Sequence, residues 1–195
     1  MKIVRLLQIS ASLTGLLFAS VSQAVVINVD FQGPGGSPST TGILYTGQGI
    51  LGGALDTNWN AANIGTTSGL FDGEGNATGI SVTTSHSGTY GNSGNTLLSD
   101  RLIFGPNPAM VSITGLDVNS FYNIVGYNGY FSQLYSIAGH TDESTSIVSG
   151  SWNNSFSNWS EGEQFVQFDN AMSDSLGNIN ITLSAINNGP YGAAL

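Results

Sequence analysis

Val111–Tyr130 reads VSITGLDVNSFYNIVGYNGY, in the form of strand, tight turn, strand. Val111, Ile113 and Leu116 are separated by Ser112, Thr114 and Gly115, close to the alternation that turns one face of a strand toward a core. Gly115, Asp117, Asn119 and Ser120 supply the turn chemistry. Phe121–Tyr127 then carries apolar side chains on both faces, as a strand covered on both sides does. Leu116 and Tyr122 face each other across the turn at the spacing of a β-sandwich corner, where a tyrosine hydroxyl ties the turn down. The stretch predicts Ile113, Leu116, Tyr122 and Ile124 in one core, with Val29 and Phe31 beside them.

The flanking sequence repeats this texture. Val25–Phe31 (VVINVDF) is the first strand expected after residue 24, with Asn28 and Asp30 pointing outward. Gln32–Gly42 is a loop by its Gly and Pro content. Leu70–Phe71 and Gly79–Thr84 flank the turn Asp72–Ala77 and predict a hairpin. Ser85–Asn95 reads as an exposed loop, and Leu97–Phe104 holds a short apolar segment. Gln133–Ala138, Ser144–Ser149, Gln164–Phe168 and Ile179–Ile186 are further strands. No stretch after residue 24 sustains a 3.6-residue period. Short strands with Gly-rich turns about ten residues apart predict an all-β fold, a two-sheet antiparallel β-sandwich or jelly roll. With no linker and no repeat, 25–195 reads as one domain.

Met1–Ala24 reads as a secretory signal peptide. Lys2 and Arg5 precede an apolar run that starts at Leu6, and Ser22-Gln23-Ala24 ends in small residues suited to cleavage after Ala24. The clean apolar part is shorter than the roughly 20 residues a spanning helix needs. A protein secreted or held at the cell surface is expected, with no membrane span after signal removal. All 12 acids but only one cation, Arg101, follow Ala24, a net charge of −11 for the mature chain. That charge repels phosphate backbones and anionic membrane surfaces, which excludes nucleic acid as a partner. There is no cysteine, so a chain of this length relies on its core rather than on disulfides.

Taken in order, VINVDF, YTGQG, TNWN, FDGEGNATGISV, LLSDRLIF, ITGLDVNSFYNIVGY, EGEQFVQFDN and GNINITLSA resemble secreted bacterial β-sandwich proteins that carry a PEP-CTERM sorting tail. The opening is also similar to malectin and other galactose-binding-like jelly rolls. The resemblance runs over most of Val25–Leu195. It implies an exported, non-catalytic module associated with extracellular polysaccharide. The chain departs from the pattern in having no Pro-Glu-Pro, no closing apolar helix and no terminal Arg cluster. In look-alikes a further strand follows a segment like GPYGAAL, so the resemblance implies a last strand beyond Leu195 that pairs with Val25–Phe31. The alternative is that Ile179–Ile186 fills that place.

Aromatic residues are the first candidates for a site. Trp152 and Trp159 lie among Asn153, Asn154, Asn158 and Ser160, and Tyr130 lies near a strand end. Flat rings beside amides suit sugar CH groups and hydroxyls, so Trp152, Trp159, Tyr130 and Asn154 are the expected ligand-binding residues. Trp59 is expected in the core. Asp72, Glu74 and Asn76 place an oxygen-bearing side chain at every second position, like the first half of a calcium loop, so calcium is the metal they could hold, whereas two distant His and no Cys make a poor zinc site. The distal bidentate Glu is absent, and a plain hairpin turn fits the same residues. Glu161 and Glu163 share one short segment, which does not give the two opposed carboxyls of glycoside hydrolysis. His86 and His140 are the only imidazoles, and there is no Gly-x-Ser-x-Gly elbow. Three functions are thus open. The first is a non-catalytic module binding extracellular glycan or matrix. The second is a structural surface or biofilm protein without a small ligand, and the third a polysaccharide-acting enzyme.

Overall fold

A computed structural model of the chain describes residues 7–8, 25–31, 44–85, 88–90, 101–103, 108–127, 132–145 and 159–186. The strands are β1 Leu7–Gln8, β2 Asn28–Phe31, β3 Trp59–Ala62, β4 Gly65–Ser68, β5 Ser81–Thr84, β6 Gly88–Tyr90 and β7 Arg101–Ile103. They continue as β8 Ala109–Thr114, β9 Phe121–Tyr127, β10 Gln133–Ile137, β11 Glu143–Thr145, β12 Phe165–Met172 and β13 Ile179–Ala185. Helical structure among the described residues is a single 3-10 turn, Ala54–Asp56. No described helix is long and apolar enough to cross a membrane. The protein is all-β, as the period of its sequence dictates.

A six-stranded antiparallel sheet runs in the order β11-β10-β13-β8-β5-β4, and a three-stranded sheet in the order β1-β9-β12. Two short pairs, β2-β3 and β6-β7, complete the described strands. Inward side chains of both larger sheets meet in one apolar cluster. Val111, Ile113, Ile179 and Ile181 enter from the six-stranded sheet, and Tyr122, Ile124, Val166 and Phe168 from the three-stranded one. Val29 and Phe31 lie in the same cluster with Leu116, as the central stretch predicts.

The turn between β8 and β9 is tied as its spacing suggests. The Tyr122 hydroxyl accepts the Asp117 backbone N–H at 2.9 Å. Asn119 sits at φ 51 and Gly115 at φ 82, and a Cβ on Gly115 would strike the Gly79 carbonyl oxygen. Ser173, fully buried, donates through its hydroxyl to the Asp117 carbonyl at 2.5 Å and accepts the Ser120 N–H at 3.0 Å. This locks the turn to the chain between β12 and β13.

Four expectations change. First, β2 pairs in parallel with β3, in the register Asn28↔Trp59 to Phe31↔Ala62, so the described strands are not all antiparallel. Second, Asn28 and Asp30 are buried rather than outward, because the segment 44–58 covers their side of β2. The Asn28 amide donates to the Asn58 carbonyl, and the Asp30 carboxylate accepts the Tyr45 N–H at 2.9 Å. Third, β13 lies between β10 and β8 and does not fill a place beside β2. Its clean alternation suits a strand with one face on the core, which the centre of the six-stranded sheet provides. Fourth, the polar stretch after Ser85 contains β6, which pairs with β7.

Candidate functional site

The outer face of β9 carries Val125 and Tyr127, and a second, smaller core forms over it. Segment 44–58 is laid across that face. Its residues are mostly polar or Gly, so side-chain burial alone does not hold it. Aromatic rings and two buried acids do. Tyr45 meets Trp59 edge to face at 5.3 Å and 78°, Trp59 lies 6.3 Å from Tyr127, and Tyr127 meets Trp159 at 6.0 Å and 64°. The row uses the edge-on and tilted geometries that aromatic quadrupoles favour. The polar atoms of Tyr45, Trp59 and Tyr127 each have a partner. The Trp59 indole N–H donates to the Gly47 carbonyl at 2.8 Å, the Tyr127 hydroxyl accepts the Ile50 N–H at 3.0 Å, and the Tyr45 hydroxyl donates to the Gln48 carbonyl. The buried Tyr135 hydroxyl reaches the Tyr127 carbonyl from the main core.

Asp30 and Asp56 are both fully buried at this junction. Asp30 accepts the Tyr45 N–H, and Asp56 accepts the Gly52 N–H at 2.9 Å. Gly49 is packed so closely on the Asp56 carboxylate that a Cβ would come within 2.5 Å of it. Burial, with the Asp56 charge nearby, pushes the Tyr45 hydroxyl above its ordinary pKa, and burial alone does the same to Tyr135. Both phenols therefore remain neutral donors, while Asp30 tethers the segment to β2 and Asp56 folds the segment back on itself. Sequence reading missed this role. Asp30 looked like the outward member of an alternating strand, and the signal that corrects it is the Gly-rich segment downstream that needs an anchor.

Of the expected ligand-binding residues, Trp159 is described, while Trp152, Tyr130 and Asn154 lie outside the described residues, as does His86. Trp159 is half-buried at the outer end of the aromatic row, beside Phe165. Trp59 is buried inside the row, as expected.

Asp72, Glu74 and Asn76 are brought together, but their polar atoms serve the turn. One Asp72 carboxylate oxygen accepts the N–H groups of Glu74 and Asn76 at 2.9 and 2.8 Å, and the Asn76 amide donates to Asp72 and to Glu74. Partial burial of Asp72 acts to raise its pKa, but these hydrogen bonds outweigh it and hold the carboxyl below the ordinary range. A calcium ion at this turn would compete with those bonds. The same device recurs at Asp174-Ser-Leu-Gly-Asn178. There, one Asp174 oxygen accepts the Leu176 and Asn178 N–H groups at 2.8 Å each, and Asn178 again donates to the other. In both turns the fourth residue is a glycine at positive φ, Gly75 at 86 and Gly177 at 74. The sequence reading singled out only the first of these two D-x-x-G-N segments; the structure shows that both form the same turn.

Glu161 and Glu163 are also occupied locally. Glu161 accepts the Gln167 N–H and Glu163 accepts from the Gln164 amide. His140 lies edge-on to Phe168 at 6.0 Å. Among the described residues no group of three or more His, Cys, Asp or Glu side chains is placed to hold a metal. A small cleft of about 160 Å³ lies at the turn end, between Val25, Ile80, Leu116, Asp117 and Tyr122. Comparison with protein-family models, curated proteins and solved structures finds no match to this chain.

Proposed function

We propose that the chain is an exported, non-catalytic β-sandwich module with jelly-roll connectivity that binds extracellular polysaccharide or surface matrix. The observation that carries this reading is the aromatic row Tyr45–Trp59–Tyr127–Trp159, which runs from the interior out to a half-buried indole. A ring braced from behind by other rings offers a sugar a flat apolar surface at low entropic cost. Trp152 and Asn154 are close to Trp159 in sequence and supply the second ring and the orienting amide. Export follows from the leader Met1–Ala24, removed after Ala24. Among the described residues, both apolar clusters are built from residues after that point.

The test is a glycan array probed with the mature protein, with and without calcium, beside a Trp152→Ala/Trp159→Ala double variant. Binding by the parent and loss of binding by a folded double variant supports the reading. Absence of binding by the parent favours a structural surface protein instead. Release of reducing ends from a polysaccharide would show catalysis and overturn the non-catalytic assignment.

A further inference from the structure

We infer that the polysaccharide taken at Trp159 is a basic one, bearing free amino groups along its chain; this rests on the proposed glycan binding and names its ligand class. The indole is followed at once by a tight turn. The Ser160 carbonyl accepts the Glu163 and Gln164 N–H groups at 3.1 and 3.2 Å, and the Ser160 N–H donates to the Gln164 side-chain oxygen at 2.8 Å. The turn rejoins β12 at Phe165, which bridges to Glu161 and whose carbonyl accepts the Gly162 N–H at 2.9 Å. Phe165 and Trp159 pack on the same small core, so the turn and the ring form one local unit. That unit presents Glu161, exposed, and Glu163, half-buried. It also lies against β11, since a Cβ on Gly162 would stand 3.9 Å from the Ser144 carbonyl oxygen, and Glu143 precedes Ser144 on that strand.

The donors that meet the two turn carboxylates are neutral amides, which leave both negative charges uncompensated. Glu161 accepts the Gln167 N–H at 3.2 Å and Glu163 the Gln164 amide at 3.4 Å. No Lys follows Ala24, and the one Arg, Arg101, lies on β7. A polysaccharide with a carboxylate or sulfate on each repeat therefore meets like charge as it nears the ring. An uncharged polysaccharide gains only the stacking. An ammonium group gains twice, from charge-assisted hydrogen bonds to the carboxylates and from the negative face of the indole. Each such contact is weak at an exposed site. A polymer repeats its ammonium along the chain, however, and the net charge of −11 on the mature protein concentrates it at the surface.

The test is the affinity of the protein for a glucosamine oligomer, for the same oligomer fully N-acetylated, and for a uronic acid oligomer of equal length. The first two differ only in the charge on nitrogen. The free-amine form is expected to bind about tenfold or more tightly than the N-acetylated form, with the uronate weakest, and added salt should erase the preference. Glu161→Gln with Glu163→Gln should remove most of the preference and leave N-acetylated binding unchanged. Asp117→Asn with Asp174→Asn takes the same two charges from the turns at the far end of β9 and should keep the preference. Circular dichroism and thermal midpoints show that the variants are folded. Equal affinity for the free-amine and N-acetylated forms overturns the inference. So does a preference that survives the glutamine variant, or one that falls as far in the control variant. N-acetylated binding that is lost in Trp152→Ala/Trp159→Ala, with no preference for the amine, overturns this inference alone and leaves the glycan reading standing. Binding of none of the three oligomers, nor of any polysaccharide on the array, overturns both.

Discussion

Leu116 and Tyr122 hold the central turn by different forces, and their substitutions should separate them. Leu116 is buried in the main core, so Leu116→Ala should lower stability by roughly 2–5 kcal/mol, read from the denaturant midpoint. Tyr122→Phe keeps the ring and removes only the acceptor of the Asp117 N–H. Asp117 is exposed, so water replaces much of that bond, and the loss should be about 0.5–1.5 kcal/mol. At acid pH the two D-x-x-G-N aspartates decide the response. For Asp174 the Asn178 and Leu176 hydrogen bonds lower the pKa, and for Asp72 partial burial raises it but the Asn76 and Glu74 hydrogen bonds bring it below the ordinary range. A carboxyl with a depressed folded pKa contributes stability that is present above its unfolded value, near 4, and is lost as pH falls through the folded value. Unfolding midpoints should therefore fall as pH is taken below about 4, and Asp72→Asn with Asp174→Asn should flatten that acid limb. An acid limb equally steep in the double variant would place the sensitivity in other carboxylates. Leu116 and Tyr122 were legible in sequence because turn spacing and alternation are local properties. The acceptor role of Asp30 was not, since its partner Tyr45 is brought to it only by folding.

At the scale of the element, the two five-residue turns share one backbone but not one environment. Both Gly75 and Gly177 lie in the left-handed region, so alanine at either should cost about 1–2 kcal/mol for the backbone alone. A Cβ on Gly75 meets nothing, whereas one on Gly177 strikes the Leu116 carbonyl oxygen. Gly177→Ala should therefore be clearly the more destabilising, and equal midpoints for the two variants would contradict the close packing of the second turn on the chain at Leu116. The segment 44–58 makes a different kind of element, held by anchors rather than by strand pairing. Asp30→Ala leaves the Tyr45 N–H buried without its acceptor, a loss of about 1–3 kcal/mol. It should also speed proteolysis within 44–58 before the sheets unfold, which limited digestion followed by mass spectrometry would detect. The pattern of β8, β9 and β13 could be read ahead of the structure because alternation reports burial. The parallel pairing of β2 with β3 could not, because pairing direction depends on where the chain between them travels.

At the scale of the whole molecule, the aromatic row links the main sandwich to its covering segment and carries the proposed ligand surface. Trp59 is 5 % exposed while Trp159 is half-buried. With the other two tryptophans replaced by phenylalanine, a Trp59-only protein should resist acrylamide quenching and a Trp159-only protein should be quenched readily. Equal quenching would mean that the row does not run from interior to surface. The sequence by itself determined that the fold is all-β, that the strand–turn–strand stretch 111–127 supplies the core, and which of its side chains do so. Those properties depend on alternation and turn chemistry within a few residues, and short-range sterics enforce them whatever the distant neighbours are. Only the tertiary structure decided that Asn28 and Asp30 face inward, that β13 is a central strand and that Trp59 stacks between Tyr45 and Tyr127. It also decided that the two strands of 111–127 lie in different sheets, as a corner and not a hairpin. Each of these depends on segments far apart in the chain meeting in space, and hydrophobic burial sets those meetings without leaving a local period to read.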